Sequence, residues 1–196
     1  MIKKWFADNY KSSIEDVNNM IHQIGYVESK NNPSARQKSH VKDEDGNKMV
    51  DEEGNYVLKD GPAGGTYQFE NKKGSGAFQT ALNRVENVYK NKKEKVPSWI
   101  SEAREHDDAS QLTVEQQDSL LLADLWQKSG SDDYINEALN TGDAKNLWLN
   151  KHWAGAKKGS EGYSKKAAQW NREMETYDAP FLDEDSKVIS SLMKDI

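Results

Sequence analysis

The stretch that decides the fold runs from Thr113 to Trp126 and reads TVEQQDSLLLADLW. Thr113 and Gln116 have the spacing of a capping box, in which two residues satisfy each other's free backbone amides in the first turn of a helix. Leucines dominate residues 120–125, and a continuously apolar helix is one that is buried on most of its faces. This stretch therefore predicts the central helix of the hydrophobic core.

Periodic apolar residues predict further helices on both sides of this core helix. The predicted helices cover residues 77–89, a short one from Pro97, with Trp99 and Ile100 in it, and residues 134–139, 144–153, 164–175 and 185–193. Gly130 is expected to end the core helix, because glycine tolerates the left-handed conformation at a helix terminus, and Ser131 is expected to cap the next helix.

A helix that begins after Ser12 and Ser13 is also predicted. Glu15 and Asp16 follow these serines and favour the positive end of a helix. One apolar stripe follows at spacings of three and four, formed by Ile14, Val17, Ile21 and Ile24. Pro33 sets the limit of this helix, because the residue before a proline is pushed out of the helical conformation.

Residues 40–70 have a different pattern, with turn signals at Asp45-Gly46-Asn47 and Glu53-Gly54-Asn55. Short strands are predicted at residues 48–50 and 56–58, and a glycine-rich loop at residues 61–65. The fold class is therefore mainly α with a small β-hairpin or three-stranded sheet (α+β).

Composition excludes several functions. The net charge of -6 is unfavourable for gripping nucleic acid through its phosphates. With no cysteine, disulfides and thiolate chemistry are excluded. The four histidines show no metal-ligand spacing, so we expect no metal and no cofactor. No segment is apolar and long enough to insert into a membrane, and we expect no secretory signal peptide at the amino terminus.

Glu28 is the candidate catalytic residue. It follows Ile21 by seven residues and Ile24 by four, so it lies on the apolar stripe if the helix extends that far. Desolvation disfavours a carboxylate anion, and a glycosidase needs an acid that still carries its proton near neutral pH. If the helix ends earlier, Glu28 is an ordinary solvated carboxylate.

Three short motifs resemble those of the lysozyme-like superfamily. Residues 28–35, ESKNNPSA, resemble the "E-S-x-x-N-P-x-A" opening of lytic transglycosylases and goose-type lysozymes. Residues 61–70, GPAGGTYQFE, resemble the "G-A-x-G-L-M-Q" loop, and more closely a phage-encoded "G-P-x-R-G-x-Y-Q-F-E" version. Residues 152–156, HWAGA, resemble the "A-Y-N-A-G-P" segment, with histidine and tryptophan where that motif has tyrosine and asparagine. The order of the motifs, spanning residues 28–155, supports the resemblance.

The resemblance implies one lysozyme-like catalytic domain over residues 1–196, with a hairpin and cleft-loop subdomain at 40–70 and a helical lobe at 71–196. It implies that the domain cleaves the β-1,4 bond between N-acetylmuramic acid and N-acetylglucosamine in peptidoglycan. Glu28 falls on the position of the catalytic acid. The implied substrate-binding residues are Ser29, Tyr67, Gln68, Glu70, His152 and Trp153.

The reaction after protonation depends on a second carboxylate. Without one, the sugar's N-acetyl group and C6 hydroxyl complete a lytic transglycosylase reaction. With one, a positioned water makes the enzyme a muramidase. The candidates for a second carboxylate are Asp43, Asp45, Asp51 and Glu70, each of which is otherwise a solvated turn or surface charge.

The expected partners are bacterial peptidoglycan and other virion proteins, with no nucleic acid and no membrane insertion. A phage-encoded protein fits, located in the virion or in the host cytoplasm and acting at the periplasmic cell wall. Two alternatives stay open: a catalytically inactive lysozyme-fold structural protein of a phage particle, and a sugar-binding module without turnover.

Overall fold

The computed structural model describes residues 2–71, 76–128, 130–152, 158–178 and 180, with the side chain of Pro62 left out. The described chain is a mainly helical α+β protein with a small antiparallel sheet, which confirms the predicted fold class at this level. Its helices are α1 (Ile2–Tyr10), α2 (Ile14–Ser29), α3 (Ala77–Asn91), α4 (Trp99–Ala103), α5 (Val114–Gln127), α6 (Asp132–Thr141), α7 (Lys145–Leu147) and α8 (Glu161–Met174). Its strands are β1 (Arg36–His40), β2 (Leu58–Gly64) and β3 (Phe69–Glu70).

Helix α5 lies at the centre of the core, as predicted. Leu120, Leu121, Leu122 and Leu125 are each 0% exposed. The helix packs against α1, α2 and α3. The Thr113 hydroxyl accepts the amide of Gln116, and the Gln116 side chain accepts the amide of Thr113, so the predicted capping box is present.

Helix α2 begins at a capping box and ends in a left-handed turn. The Ser13 hydroxyl accepts the Asp16 amide at 3.0 Å, and the Asp16 carboxylate accepts the Ser13 amide at 3.2 Å. Of the predicted apolar stripe, only the first member, Ile14, is exposed (41%). Lys30 and Asn31 both adopt φ 57°, so the helix ends in a left-handed turn before Pro33 is reached.

Helix α1 was not predicted, although Ile2 and Phe6 have helical spacing and are both buried. The Tyr10 hydroxyl donates to the carboxylate of Asp132 at 2.6 Å and so ties α1 to α6. Among the described residues, no helix has the length and apolarity needed to cross a membrane.

The sheet has the order β1-β2-β3, with both pairs antiparallel. The prediction of a loop at residues 61–65 was wrong for Gly61–Gly64, which belong to β2. These residues pair with β1, and β1 was not predicted because its polar sequence shows no alternation of apolar residues. The predicted strand at residues 48–50 forms only isolated bridges, Lys48 with Lys42 and Val50 with Tyr56.

We call residues 41–57 the exposed hairpin segment, because none of its residues is buried. Three backbone hydrogen bonds close a ring within it: Val41 N–H to Val57 O (2.9 Å), Met49 N–H to Val41 O (2.9 Å) and Val57 N–H to Met49 O (3.0 Å). Main-chain bonds rather than packing therefore organise this segment.

Three helix boundaries differ from the predictions. Pro97 lies before α4 instead of in its first turn. Ser131 makes no capping bond and donates instead to the carbonyls of Leu125 (2.6 Å) and Lys128 (2.7 Å), so it closes the end of α5. The helix predicted at residues 144–153 is α7 followed by a π-helical turn, Trp148–His152. The helix predicted at residues 185–193 lies outside the described residues.

Candidate active site

Glu28 lies in the last turn of α2, and its side chain is only 5% exposed. Its Oε1 accepts a hydrogen bond from the indole N–H of Trp148 at 2.6 Å. The Nε2 of His152 lies 3.7 Å from the same oxygen. The first and third resemblance motifs therefore meet in space, at Glu28 and His152.

His152 connects this meeting point to the second motif. Its Nε2 lies 3.1 Å from the carbonyl oxygen of Tyr67, and since a carbonyl only accepts, Nε2 carries the proton. Burial lowers the pKa of His152 and outweighs the nearby Glu28, which would raise it. The ring is therefore neutral at neutral pH and forms no ion pair with Glu28. Its Nδ1 is buried and has no hydrogen-bond partner among the described residues.

Lys166 brings a positive charge toward the carboxyl group from α8. Its Nζ donates to Oε1 of Gln169 at 3.0 Å and lies 5.8 Å from the centre of the Trp148 ring. Partial burial lowers the pKa of Lys166, and the opposing influence is the charge of Glu28. We call Glu28, Trp148, His152 and Lys166 the Glu28 cluster.

Ser29 joins the end of α2 to the loop of the second motif. Its hydroxyl lies 2.9 Å from the carbonyl oxygen of Thr66, to which it donates, and accepts the amide of Asn32 at 3.1 Å. Ser29 therefore braces the site, and its implied contact with substrate stays a prediction.

The Tyr67 side chain is buried and does not line an open cleft. Its ring is 3% exposed, and its hydroxyl donates to the Asp118 carboxylate, which also pairs with Lys3 at 2.8 Å. Burial raises the pKa of Tyr67 well above its usual range. The phenol therefore belongs to the core, and the contribution of Tyr67 to the site is its backbone carbonyl on His152.

Gln68 lies in the same loop, at φ 51°, and is partly exposed. Its Nε2 donates to the carbonyl of Gly65 at 2.8 Å, which braces the loop. Glu70 lies in β3, paired with Ala63, and is also partly exposed. The described hydrogen bonds and ion pairs do not join Gln68 to Glu28.

The acidic residues of the two turns are exposed, and two of their carboxylates accept hydrogen bonds from backbone amides of the same turn. Asp43 accepts the amides of Asp45 (3.1 Å) and Asn47 (2.8 Å), and Asp51 accepts those of Glu53 (3.0 Å) and Asn55 (2.8 Å). Both carboxylates therefore stabilise their own turns. Trp153 and the rest of the third motif, residues 154–156, lie outside the described residues.

One cavity among the described residues has a volume of about 120 Å³, and its lining includes no member of the Glu28 cluster. Its lining shares only Tyr67 and Thr66 with the loop of the second motif. The lining residues are Lys3, Asn18, Ile21, His22, Asn31, Thr66, Tyr67, Val114 and Asp118.

Trp148 and Lys166 were missed by sequence reasoning. Trp148 precedes His152 by four residues, and this helical spacing was a usable signal that the two side chains share a face. Lys166 carried no such signal, because only the packing of α8 against α2 and the π-helical turn brings it to Glu28.

No protein-family model, curated protein or solved structure matches this chain. Functional inference therefore depends on the geometry of the Glu28 cluster and on the motifs of the sequence.

Proposed function

We propose that this protein is a lysozyme-like glycosidase that cleaves the β-1,4 bond between N-acetylmuramic acid and N-acetylglucosamine in peptidoglycan, with Glu28 as the general acid. One observation carries the proposal: a carboxyl group only 5% exposed lies where α2, the loop at residues 65–68 and the π-helical turn meet. Each of the three sequence motifs contributes at least one residue to these segments: Glu28 from the first, Tyr67 from the second and His152 from the third.

The surroundings of Glu28 are compatible with a general acid. The carboxyl group is shielded from water, accepts the Trp148 N–H and lies beside the neutral His152. A general acid must come within hydrogen-bond reach of the oxygen that it protonates, and a carboxyl group is a common choice for this role.

In the proposed reaction, Glu28 gives its proton to the bridging oxygen as the C1–O bond breaks and positive charge develops on the sugar. Asp43 and Asp51 are held in their own turns, which favours a route without a second carboxylate. The substrate's N-acetyl group then stabilises C1, and Glu28 takes a proton from the C6 hydroxyl as O6 bonds to C1. The product is a 1,6-anhydro sugar, as in lytic transglycosylases. If Glu70 positions a water instead, the product is a reducing end.

The proposed setting is a phage-encoded protein that acts at the bacterial cell wall, either as a virion component with other virion proteins as partners or as a lysis enzyme. Neither setting requires nucleic-acid binding or membrane insertion.

A second candidate is an inactive structural protein with the same architecture. The bond between Trp148 and Glu28 favours it, since a buried carboxyl group with an indole donor also occurs as a satisfied polar group in a protein interior.

The decisive experiment incubates purified peptidoglycan sacculi with the protein and identifies soluble fragments by mass. The wild type is expected to release disaccharide fragments, with anhydro ends if the reaction is a transglycosylation. Glu28→Gln keeps the shape but removes the proton donor, and should lower the rate by roughly 10²–10⁴-fold. Glu161→Gln is the matched control, because Glu161 is exposed (82%) on α8. Folded wild-type protein that releases nothing supports the structural candidate.

A further inference from the structure

Trp148 is fixed both by packing and by a hydrogen bond. It is 0% exposed, and its ring lies 5.3 Å from that of Trp170, centre to centre. Its single polar atom is the indole nitrogen, and the N–H donates to Oε1 of Glu28 at 2.6 Å. The orientation of the indole is therefore set by the core and imposed on the carboxyl group.

An indole N–H is a donor only, so Oε1 must present a lone pair to it. A protonated carboxyl group has one oxygen that carries the proton and one that does not. With Oε1 accepting the indole N–H, the proton of the neutral acid is favoured on Oε2. The same bond restrains rotation of the carboxyl plane.

We propose that Trp148 is a positioning residue that orients the Glu28 carboxyl group and directs its transferable proton to Oε2. The catalytic meaning of this role rests on the proposed function. The coupling between the indole and the carboxyl group does not, and can be measured in a protein with no activity.

Other charged and titratable groups face Glu28 from two further elements. His152 faces it from the π-helical turn and Lys166 from α8. Behind His152 lie Asp124 and Lys128 of α5, which are paired with each other at 2.6 Å. Any pH-dependent signal at Trp148 must therefore be separated from the titration of His152.

The first test follows the indole N–H resonance of Trp148 by two-dimensional NMR of the full chain as pH is changed, with the resonance assigned through its own side-chain correlations. In the wild type it should shift with pH, and in Glu28→Gln the shift should vanish. His152→Gln is the control and should retain the shift. A resonance that does not move in the wild type, or that moves equally in Glu28→Gln, overturns the proposal.

The second test replaces the donor but keeps an aromatic ring, as Trp148→Phe. The maximal rate of sacculi cleavage should fall with KM unchanged, because the carboxyl group loses the donor that orients it. Trp170→Phe, which removes packing against Trp148 but not its N–H, should leave the maximal rate close to that of the wild type.

An unchanged maximal rate in folded Trp148→Phe, or an equal loss in Trp170→Phe, overturns the positioning role. If wild-type protein cleaves no sacculi at any pH, the proposed function has failed, and the NMR result alone decides the coupling. The NMR result also decides it if Trp148→Phe does not fold.

Discussion

Gly25 lies at a close contact between α2 and the loop that carries Thr66 and Tyr67. A Cβ at this position would overlap Oδ1 of Asn31 and would lie 2.6 Å from Cγ2 of Thr66 and 3.2 Å from Cε1 of Tyr67. Glycine inside a helix costs about 0.5–1 kcal/mol relative to alanine. Here that cost accompanies the close approach that places Glu28 beside the loop.

Gly25→Ala is therefore expected to destabilise the protein by about 1–3 kcal/mol, because overpacking forces the helix and loop apart. Urea denaturation followed by circular dichroism measures this change. Gly162→Ala is the matched control, since the nearest atom to its added Cβ is Oγ of Ser160 at 3.8 Å. It should be neutral or slightly stabilising. Equal effects from the two substitutions would contradict the close-contact explanation.

Residue-level prediction succeeded where local spacing was sufficient. Spacing places Glu28 on the apolar stripe if the helix extends that far, and α2 does extend to Ser29, with the Glu28 side chain 5% exposed. Tyr67 shows the limit of this reasoning. Whether an aromatic ring in a loop faces a cleft or the core depends on what packs against it. Here the Tyr67 hydroxyl donates a hydrogen bond to Asp118 on α5, and the ring lies in the core.

At the scale of elements, α2 is stabilised at its first turn by the Ser13–Asp16 capping box. Ser13→Ala should lower the free energy of unfolding by about 1 kcal/mol, because an amide of the first turn loses its acceptor. Thermal or chemical unfolding measures this loss. Sacculi cleavage below the unfolding transition should be unchanged, since Ser13 is at the opposite end of the helix from Glu28.

Ser98→Ala is the control for this capping prediction. Ser98 occupies the equivalent position before α4 but makes no side-chain capping bond, and it is exposed. Its substitution should change stability by less than about 0.5 kcal/mol. A loss at Ser98 as large as that at Ser13 would show that the capping bond is not the cause.

The π-helical turn Trp148–His152 is the element that sequence reasoning could not predict. A helix was predicted there, and helical spacing does place Trp148 and His152 on one face. Within the turn, Trp148 bonds to Glu28 and His152 to the carbonyl of Tyr67, partners that come from distant parts of the chain. π-Helical turns occur frequently at functional sites, which supports the proposed role of this one.

At the scale of the whole molecule, the exposed hairpin segment is stabilised by main-chain hydrogen bonds, whereas the helical core is stabilised by apolar burial. The segment includes the exposed apolar side chains Met49 (42%), Val50 (55%) and Tyr56 (56%). Burial of apolar surface is the dominant source of stability, so a segment without buried residues contributes little to it.

Replacement of residues 43–55 by Asn-Gly tests this division. The register places His40 opposite Leu58, and its continuation would place Lys42 opposite Tyr56 once their bridges to Lys48 and Val50 are removed, which suits a two-residue hairpin turn. The shortened protein should keep its free energy of unfolding within about 1 kcal/mol of the wild type. Leu122→Ala in α5 provides the contrast and should cost about 2–5 kcal/mol. A loss of similar size in the shortened protein would show that the segment supports the core.

The sequence by itself determined the helical class, the buried face of α2 and its capped start, and the central helix α5 with its capping box. These features depend on local spacing and on hydrogen bonds between residues three apart, which a linear sequence displays directly. It also singled out Glu28 and the three motifs.

Only the tertiary structure decided what surrounds that carboxyl group. The indole of Trp148, the neutral His152 and the ammonium of Lys166 reach Glu28 from segments more than a hundred residues away, through packing that no periodicity encodes. Strand β1 was likewise decided by its partner, because the hydrogen bonds of a sheet join distant backbones irrespective of side-chain polarity. Desolvation and charge at the site are properties of this assembled packing, so they could not be deduced from the order of residues.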